Sequence, residues 1–406
     1  RGEPRLAQRA YARAAILEPA NAEAQMGLAG VQARGTALRT LRRACALAPA
    51  DARVYHNLGN LLHGPPPGGN LNVRATAAAA RCFARAAALR PSFVDTYYNL
   101  GLAPQQAHLD GVLIDGGDGG GRTYMSSERA FRHALALAPA ERRVLSRLHT
   151  TLMWDGRHAE AAALAAHGVA IGLWAHEAQR PAHYIRELYA APWRDAAPYA
   201  PLLARLRAAH GVLRRAAQRV RARGWMLEQP EGLQEPGQRW HVYDITAACA
   251  AAADDGGDED DADDGASDDE DTADETADAT ADATSDAAPA TVLADTCALL
   301  RALRDAGGGA TPPYVPLKAQ FSTMGAGVHV RPHTGPTNAK LTLHYGVEVP
   351  RGAAMRVRDE TRPFEQHGLL VFDDSWEHEV WQNGSTPRTT LVLHVEHPGL
   401  TRRGAA

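Results

Sequence analysis

The sequence predicts a multidomain protein: an all-α solenoid of helical repeats, then a double-sheet β domain of jelly-roll type with flanking helices. Three observations predict it. A short phrase recurs through the first 170 residues, an acidic low-complexity run divides the chain, and short alternating apolar stretches separated by turn signals fill the last 90 residues. At 406 residues there is room for two or three domains, each able to bury its own core.

The recurring phrase is Ala-x-x-Leu-x-Pro, ending at Pro19, Pro49, Pro91 and Pro139. An aromatic residue and Asn-Leu-Gly follow two of these prolines, at Tyr55 to Gly59 and Tyr98 to Gly101, while Phe83 and Phe131 precede the third and fourth. The pattern resembles tetratricopeptide repeats, helix pairs of about 34 residues with small residues where helices touch and a Pro at the turn. The proline spacings of 30, 42 and 48 depart from that unit. The longer gaps hold the glycine-rich stretches Gly64 to Gly69 and Gly116 to Gly121, which predict loop insertions. A plain alanine-rich bundle is the alternative; agreement of period and consensus positions favours repeats over 1–172. Stacked pairs of this kind form a curved groove suited to an extended peptide.

Residues 173–250 form a linker and the N-terminal part of the second domain. Leu202, Leu203, Leu206, Leu213 and Val220 recur at helical spacing and predict one amphipathic helix. Its arginines lack an aromatic platform, so they predict a solvated face, and no nucleic-acid partner is expected. Trp240-His241-Val242-Tyr243 predicts a short strand. Residues 251–288 follow as an acidic insert. Positions 254–286 hold 17 acidic side chains and no Lys or Arg, and without them the formal charge of −4 becomes +13. Such a segment has too little to bury to offset its ordering entropy and is expected to be disordered; it lacks the ligand spacing of a calcium loop.

Cys45, Cys82, Cys249 and Cys297 show no CxxC and no close spacing, so neither a zinc site nor a disulfide framework is expected from them. No run of about 18 apolar residues predicts a membrane span. The chain begins at Arg1, so an N-terminal signal or anchor is left open and the compartment unassigned.

Over 289–406 the stretches Leu341 to Tyr345, Met355 to Val357, Leu369 to Phe372, Glu379 to Trp381 and Thr390 to Val395 predict strands, with Pro350-Arg351-Gly352 and Asn383-Gly384 between them. Within this β-rich stretch stand His333, His378 and Arg388. Two imidazoles on separate strands suit Fe(II), and an arginine on the next strand suits the far carboxylate of a 2-oxo acid. Alone, each is more often an ordinary hydrogen-bonded histidine or a solvated arginine, as is expected of His329, His367, His394 and His397; His394 sits mid-strand, where it can face the cavity, but is not expected to be a ligand.

The motifs Val330 to Asn338, Phe372 to Trp381 and His397-Pro398-Gly399-Leu400-Thr401 resemble the aspartyl/asparaginyl β-hydroxylase family, and the resemblance covers about 179–400. It implies a double-stranded β-helix (jelly-roll, cupin-like) oxygenase dependent on Fe(II), 2-oxoglutarate and O2. Animal members place tetratricopeptide repeats ahead of that domain. By position it makes His333 and His378 the iron ligands. Most non-haem oxygenases carry a third, carboxylate ligand two residues after the first histidine, where this chain has Gly335. Family members also lack it and use water, which makes Asp374 an outer carboxylate that orients the water, a direct bond from Asp374 to iron being the alternative. Arg388, with Ser322 and His344, would bind 2-oxoglutarate. Relatives often have arginine where Thr342 stands, so Lys340 is the candidate point charge for substrate. Cys297 matches one cysteine of a pair in animal members, whose partner position falls at Gly307 to Gly309.

The activity implied is β-hydroxylation of Asp or Asn in a protein substrate presented by the repeats. In animal relatives that substrate is an epidermal-growth-factor-like (EGF-like) module in the endoplasmic reticulum, where the enzyme is membrane-anchored. Two alternatives stand beside it: the same chemistry on a small molecule or lipid, and a repeat scaffold without turnover.

Overall fold

The computed structural model describes residues 3–64, 73–106, 111–114, 123–188, 191–228, 233, 238–254, 289–310 and 314–401. The N-terminal region is helical: α1 (Glu3–Leu17), α2 (Ala22–Ala29), α3 (Arg34–Leu47), α4 (Ala52–His63), α5 (Val73–Leu89), α6 (Val94–Gln106), α7 (Ser127–Leu137), α8 (Arg142–Trp154) and α9 (His158–Ala170). The repeated proline explains the joints. Each sits second in a turn closed by a backbone hydrogen bond: Asn21 to Glu18, Asp51 to Ala48, Phe93 to Arg90 and Glu141 to Ala138, at 2.9–3.1 Å. Asn21 and Asp51 then cap the following helices with their side chains.

The repeated glycine has an equally local cause. A Cβ on Gly59 or Gly101 would come within 2.6 or 2.4 Å of the Phe83 or Phe131 ring. Glycine thus lets the aromatic residue of the next helix lie against the backbone. Alanines 79, 80, 84, 87, 103, 130 and 134 close the same core around Phe83, Leu100 and Phe131. The result is a tetratricopeptide-like stack of helix pairs. One expected loop insertion is more structured than predicted: strands β1 (Gly111–Ile114) and β2 (Thr123–Ser126) pair antiparallel between α6 and α7. Residues 65–72 and 115–122, which hold most of the two glycine-rich stretches, lie outside the described residues.

After the connector come α10 (Ala200–Ala208) and α11 (His210–Ala222). The single helix expected over Leu202 to Val220 is therefore two, broken at Ala209 just before Gly211, a poor helix former. Leu202, Leu206, Leu213 and Val220 are all fully buried. Strands β3 (Leu227–Glu228) and β4 (Trp240–Asp244) and helix α12 (Ile245–Asp254) follow. Helix α12 takes in 251–254 of the acidic segment; the rest of it, 255–288, lies outside the described residues.

Helices α13 (Pro289–Val292) and α14 (Ala294–Gly307) resume the chain. A disulfide joins Cys249 of α12 to Cys297 of α14, with Cα atoms 5.6 Å apart. This corrects the expectation of no disulfide. Sequence spacing misled because the partners are 48 residues apart, yet both helices pack on the same face of one sheet. Closing a loop of that length corresponds to about 4 kcal/mol of chain entropy. Cys45 and Cys82 are free, and burial, with Cys82 nearby, raises the Cys45 thiol to about 11.

The last part of the chain is β-rich: β5 (Pro316–Met324), β6 (His329–His333), β7 (Lys340–Glu348), β8 (Ala353–Val357), β9 (Glu360–Pro363), β10 (Leu369–Phe372), β11 (His378–Gln382) and β12 (Arg388–Glu396), then α15 (Pro398–Thr401). Two antiparallel sheets form, in the orders β10-β7-β12-β5-β4-β3 and β6-β11-β8-β9. Strand alternation decides what each face carries. Leu341, Leu343 and Tyr345 of β7 and Leu391, Leu393 and Val395 of β12 pack with α10, α11 and α14. The intervening residues, among them Thr342, His344, Arg388 and His394, line a cavity shared with His333 and His378 of the other sheet.

Candidate active site

His333 ends β6 and His378 begins β11, and the two are direct cross-strand partners. Their ring centroids are 4.2 Å apart. Each ring bonds through Nδ1 to the carbonyl two residues earlier, His333 to Arg331 at 2.8 Å and His378 to Trp376 at 2.9 Å. A carbonyl can only accept, so Nδ1 carries the proton and each Nε2 keeps its lone pair. Burial, aided by the neighbouring His378, depresses His333 to about 3. Burial lowers His378 as well. Both are neutral imidazoles at ordinary pH, the form that binds metal.

Gly335 has a clear steric cause. A Cβ there would lie 2.6 Å from Cγ and Oδ1 of Asp374, and the Gly335 N–H donates to the Asp374 carbonyl at 2.6 Å. Asp374 thus fills the space a side chain at 335 would need. Its Oδ2 is ion-paired with Lys340, and its Oδ1 is buried without a protein partner among the described residues. Burial works to raise the Asp374 pKa, but Lys340 and then His378 outweigh it and hold the carboxyl below its usual range. Among the described residues no group of three His, Cys, Asp or Glu side chains forms a metal cluster.

The other end of the cavity is cationic. Arg388 is 1% exposed, stacks over Phe364 at 4.4 Å, and donates from Nη2 to Ser322 Oγ at 3.4 Å. Its Nε and Nη1 have no partner among the described residues. Burial pulls its pKa down to about 9. A buried guanidinium without a carboxylate is costly. His344 presents an equally unpartnered Nδ1, and burial followed by Arg388 keeps its ring neutral. The space between is about 130 Å³, well below the roughly 300 Å³ where drug-sized pockets begin. Trp240, read from sequence only as a strand residue, lines this cavity and donates to Ser322 Oγ at 3.0 Å.

Lys340 sits at the mouth, engaged with Asp374 rather than free. It also donates to Thr342 Oγ1 and to His394 Nδ1, both at 3.3 Å, and Thr342 Oγ1 lies 3.1 Å from the same nitrogen. His394, which its mid-strand position allows to face the cavity, is part of the cavity wall, directly across the ladder from Thr342. An ammonium only donates, so His394 Nδ1 accepts and Nε2 carries the ring proton. His329 is an ordinary paired histidine, bonded to Glu379 at 2.8 Å and stacked on Trp381.

A second, open cavity of about 490 Å³ adjoins the first and includes Arg147, Thr150 and Trp154 of α8. Sequence reasoning gave these three no role. The helical region is tied to the site directly: the Arg180 carbonyl accepts from Ser146 Oγ of α8 at 2.7 Å and from Thr334, the residue after His333, at 3.3 Å.

Residues 277–398 match the family model described as Aspartyl/Asparaginyl beta-hydroxylase. The chain is 43% identical over 107 residues to the aspartyl/asparaginyl beta-hydroxylase of Mus musculus, covering 26% of this chain and 14% of that protein. It is 38% identical over 81 residues to the ornithine lipid ester-linked acyl 2-hydroxylase of Rhizobium tropici, covering 19% of this chain and 28% of that one. The solved structure of YrrB, a TPR protein with an unusual peptide-binding site, aligns at 13% identity and a TM-score of 0.31 over 42% of this chain and 79% of its own, too slight a likeness to carry weight. The chain spans less than a third of the length of either hydroxylase. Residues 277–398 thus form a domain of the aspartyl/asparaginyl β-hydroxylase family.

Proposed function

We propose that the protein is an Fe(II)- and 2-oxoglutarate-dependent dioxygenase that hydroxylates the β-carbon of Asp or Asn in protein substrates. One observation carries this reading: a buried Arg388 with no carboxylate partner among the described residues stands at one end of a small cavity whose other end holds two neutral imidazoles with free Nε2 lone pairs. That donor set fits a divalent metal and a small dicarboxylic acid. Strand order supports a jelly-roll reading of the domain, since β5 to β12 switch sheet at every step but β8 to β9, in the orders β10-β7-β12-β5 and β6-β11-β8-β9.

In this reading His333 and His378 hold the iron, and Arg388, with Ser322 and His344, holds the far carboxylate of 2-oxoglutarate through its planar fork. When bound, iron and cosubstrate supply the oxidising chemistry, with O2 consumed and succinate and CO2 released. Asp374 contributes Oδ1 as an acceptor for water beside the imidazoles, in the space denied to residue 335. Lys340 keeps that carboxylate ionised. Substrate enters through the open cavity bordered by α8, an EGF-like module being the candidate. The disulfide supports an oxidising compartment such as the endoplasmic reticulum. No helix among the described residues is long and apolar enough to cross a membrane.

The test is mass spectrometry of an EGF-like peptide bearing Asp or Asn after incubation with protein, Fe(II), 2-oxoglutarate and O2, with His333→Ala alongside. The expected result is a one-oxygen gain on Asp or Asn that the variant abolishes. The R. tropici relative and the exposed Leu317 at the mouth favour lipid as the second reading. Cosubstrate consumption without peptide oxidation would point there, and no consumption at all would point to a scaffold.

A further inference from the structure

The mouth of the site borrows one wall from the helical region. Arg147, Thr150 and Trp154 are three and four residues apart on α8, so they share a helix face, and all three line the open cavity with His333 and His378. Three cations border that cavity, and two are committed: Lys318 pairs with Asp244 at 3.2 Å, and Lys340 pairs with Asp374. Arg147 is exposed and has no carboxylate partner among the described residues. Trp154 Nε1 likewise has no partner among them. Within the β domain, the Thr342 hydroxyl is occupied by Lys340 and His394. Among the described residues, the unpaired charge at the entrance therefore belongs to the repeats.

We propose that this face of α8 determines substrate specificity: Arg147 receives a carboxylate of an acidic polypeptide segment, with Trp154 as the wall against which the segment lies. The inference rests on the hydroxylase reading, because the entrance matters only if a residue passes through it toward the imidazoles. Charge complementarity selects the occupant. An acidic segment meets the guanidinium of Arg147 there, whereas a basic one meets like charge from it, and the Asp374 carboxylate in the same cavity is already paired with Lys340. Rim charges of this kind act on partner choice and on encounter rate.

The experiment uses the full chain and two peptides of equal length with one Asp or Asn target, flanked by Glu in one and by Lys in the other. Binding is read by fluorescence anisotropy and hydroxylation by mass. The wild type should bind the Glu-flanked peptide roughly tenfold more tightly. Arg147→Glu should reverse that order and Arg147→Gln should bring the two near parity. Arg81→Gln, which removes an exposed arginine on α5 away from the mouth, should leave the preference intact. An Arg147-dependent preference without hydroxylation would keep this inference and defeat the hydroxylase reading. Hydroxylation with a preference that Arg147→Glu does not move would do the reverse. Binding of neither peptide would also overturn the inference.

Discussion

The helical and β-rich regions bury different things. Around Phe83 and Phe131 the repeats bury alanine, leucine and glycine against aromatic rings, and nearly every contact serves packing. The β domain buries Arg388, His378 and Asp374 in one place, and polar atoms of Arg388 and Asp374 find no partner among the described residues. Unpartnered atoms occur in the repeats too, such as His63 Nδ1 and Thr76 Oγ1, but they are scattered. In the β domain those of His344, Asp374 and Arg388 converge on one cavity. Burying such groups without partners costs stability. Their convergence is what the proposed cosubstrate and metal would satisfy.

The sharpest way to break this comparison is to substitute one residue of each kind. Arg388→Met should abolish turnover and yet leave the protein equally stable or more stable by about 1–4 kcal/mol, because an uncompensated buried charge is gone. Phe131→Ala in the repeats should do the opposite to stability, costing about 3–5 kcal/mol through the cavity it leaves. Urea unfolding of the two variants measures both. If Arg388→Met is the more destabilised, the site is not held at the expense of stability.

Gly335 offers a smaller, two-part test. Gly335→Asp places a carboxylate where most mononuclear iron oxygenases have one, but its Cβ collides with Asp374. The expected result is a loss of about 1–3 kcal/mol from overpacking, with lower activity. Adding Asp374→Gly should restore stability and metal uptake, because space and charge are then merely exchanged. Failure of the double variant to recover would show that Asp374 does more than occupy the site.

A still smaller effect separates the regions by pH. His149 of α8 is 5% exposed, and burial, with Arg180 nearby, depresses it to about 3 from 6.5. The folded state therefore resists its protonation, so its contribution is complete above pH 6.5 and is lost as pH falls toward 3. Wild type should lose about 2 kcal/mol more than His149→Gln between pH 7 and pH 5. Paired denaturation curves at the two pH values measure that difference, and identical losses would contradict the assignment.

Much of this was legible because the signals are local. The prolines of the repeat turns and the glycines beneath Phe83 and Phe131 act within one helix pair, and period-two alternation in β7 and β12 sorts core residues from cavity residues. His333, His378 and Asp374 could be named because the motifs holding them are contiguous, and Arg388 because it stands on the next strand, ten residues after His378. What escaped depends on distant partners. Cys249 meets Cys297 only after α12 and α14 pack on one sheet. Trp240 reaches Ser322 across a strand pair, and the bonds of His394 to Thr342 and Lys340 are made across the ladder and along the neighbouring strand. Arg147 and Trp154 reach the mouth only because α8 lies beside β6. No spacing within the chain announces these meetings.

The most direct test of the central claim is a calorimetric titration of 2-oxoglutarate into the Fe(II)-loaded protein under nitrogen, repeated with Arg388→Met and His333→Ala. The wild type should bind one equivalent, Arg388→Met should bind on the order of 100-fold more weakly through loss of a charge-assisted bidentate contact, and His333→Ala should not retain the metal. Equal affinity in wild type and Arg388→Met would contradict the account, for the buried arginine would then be holding something else.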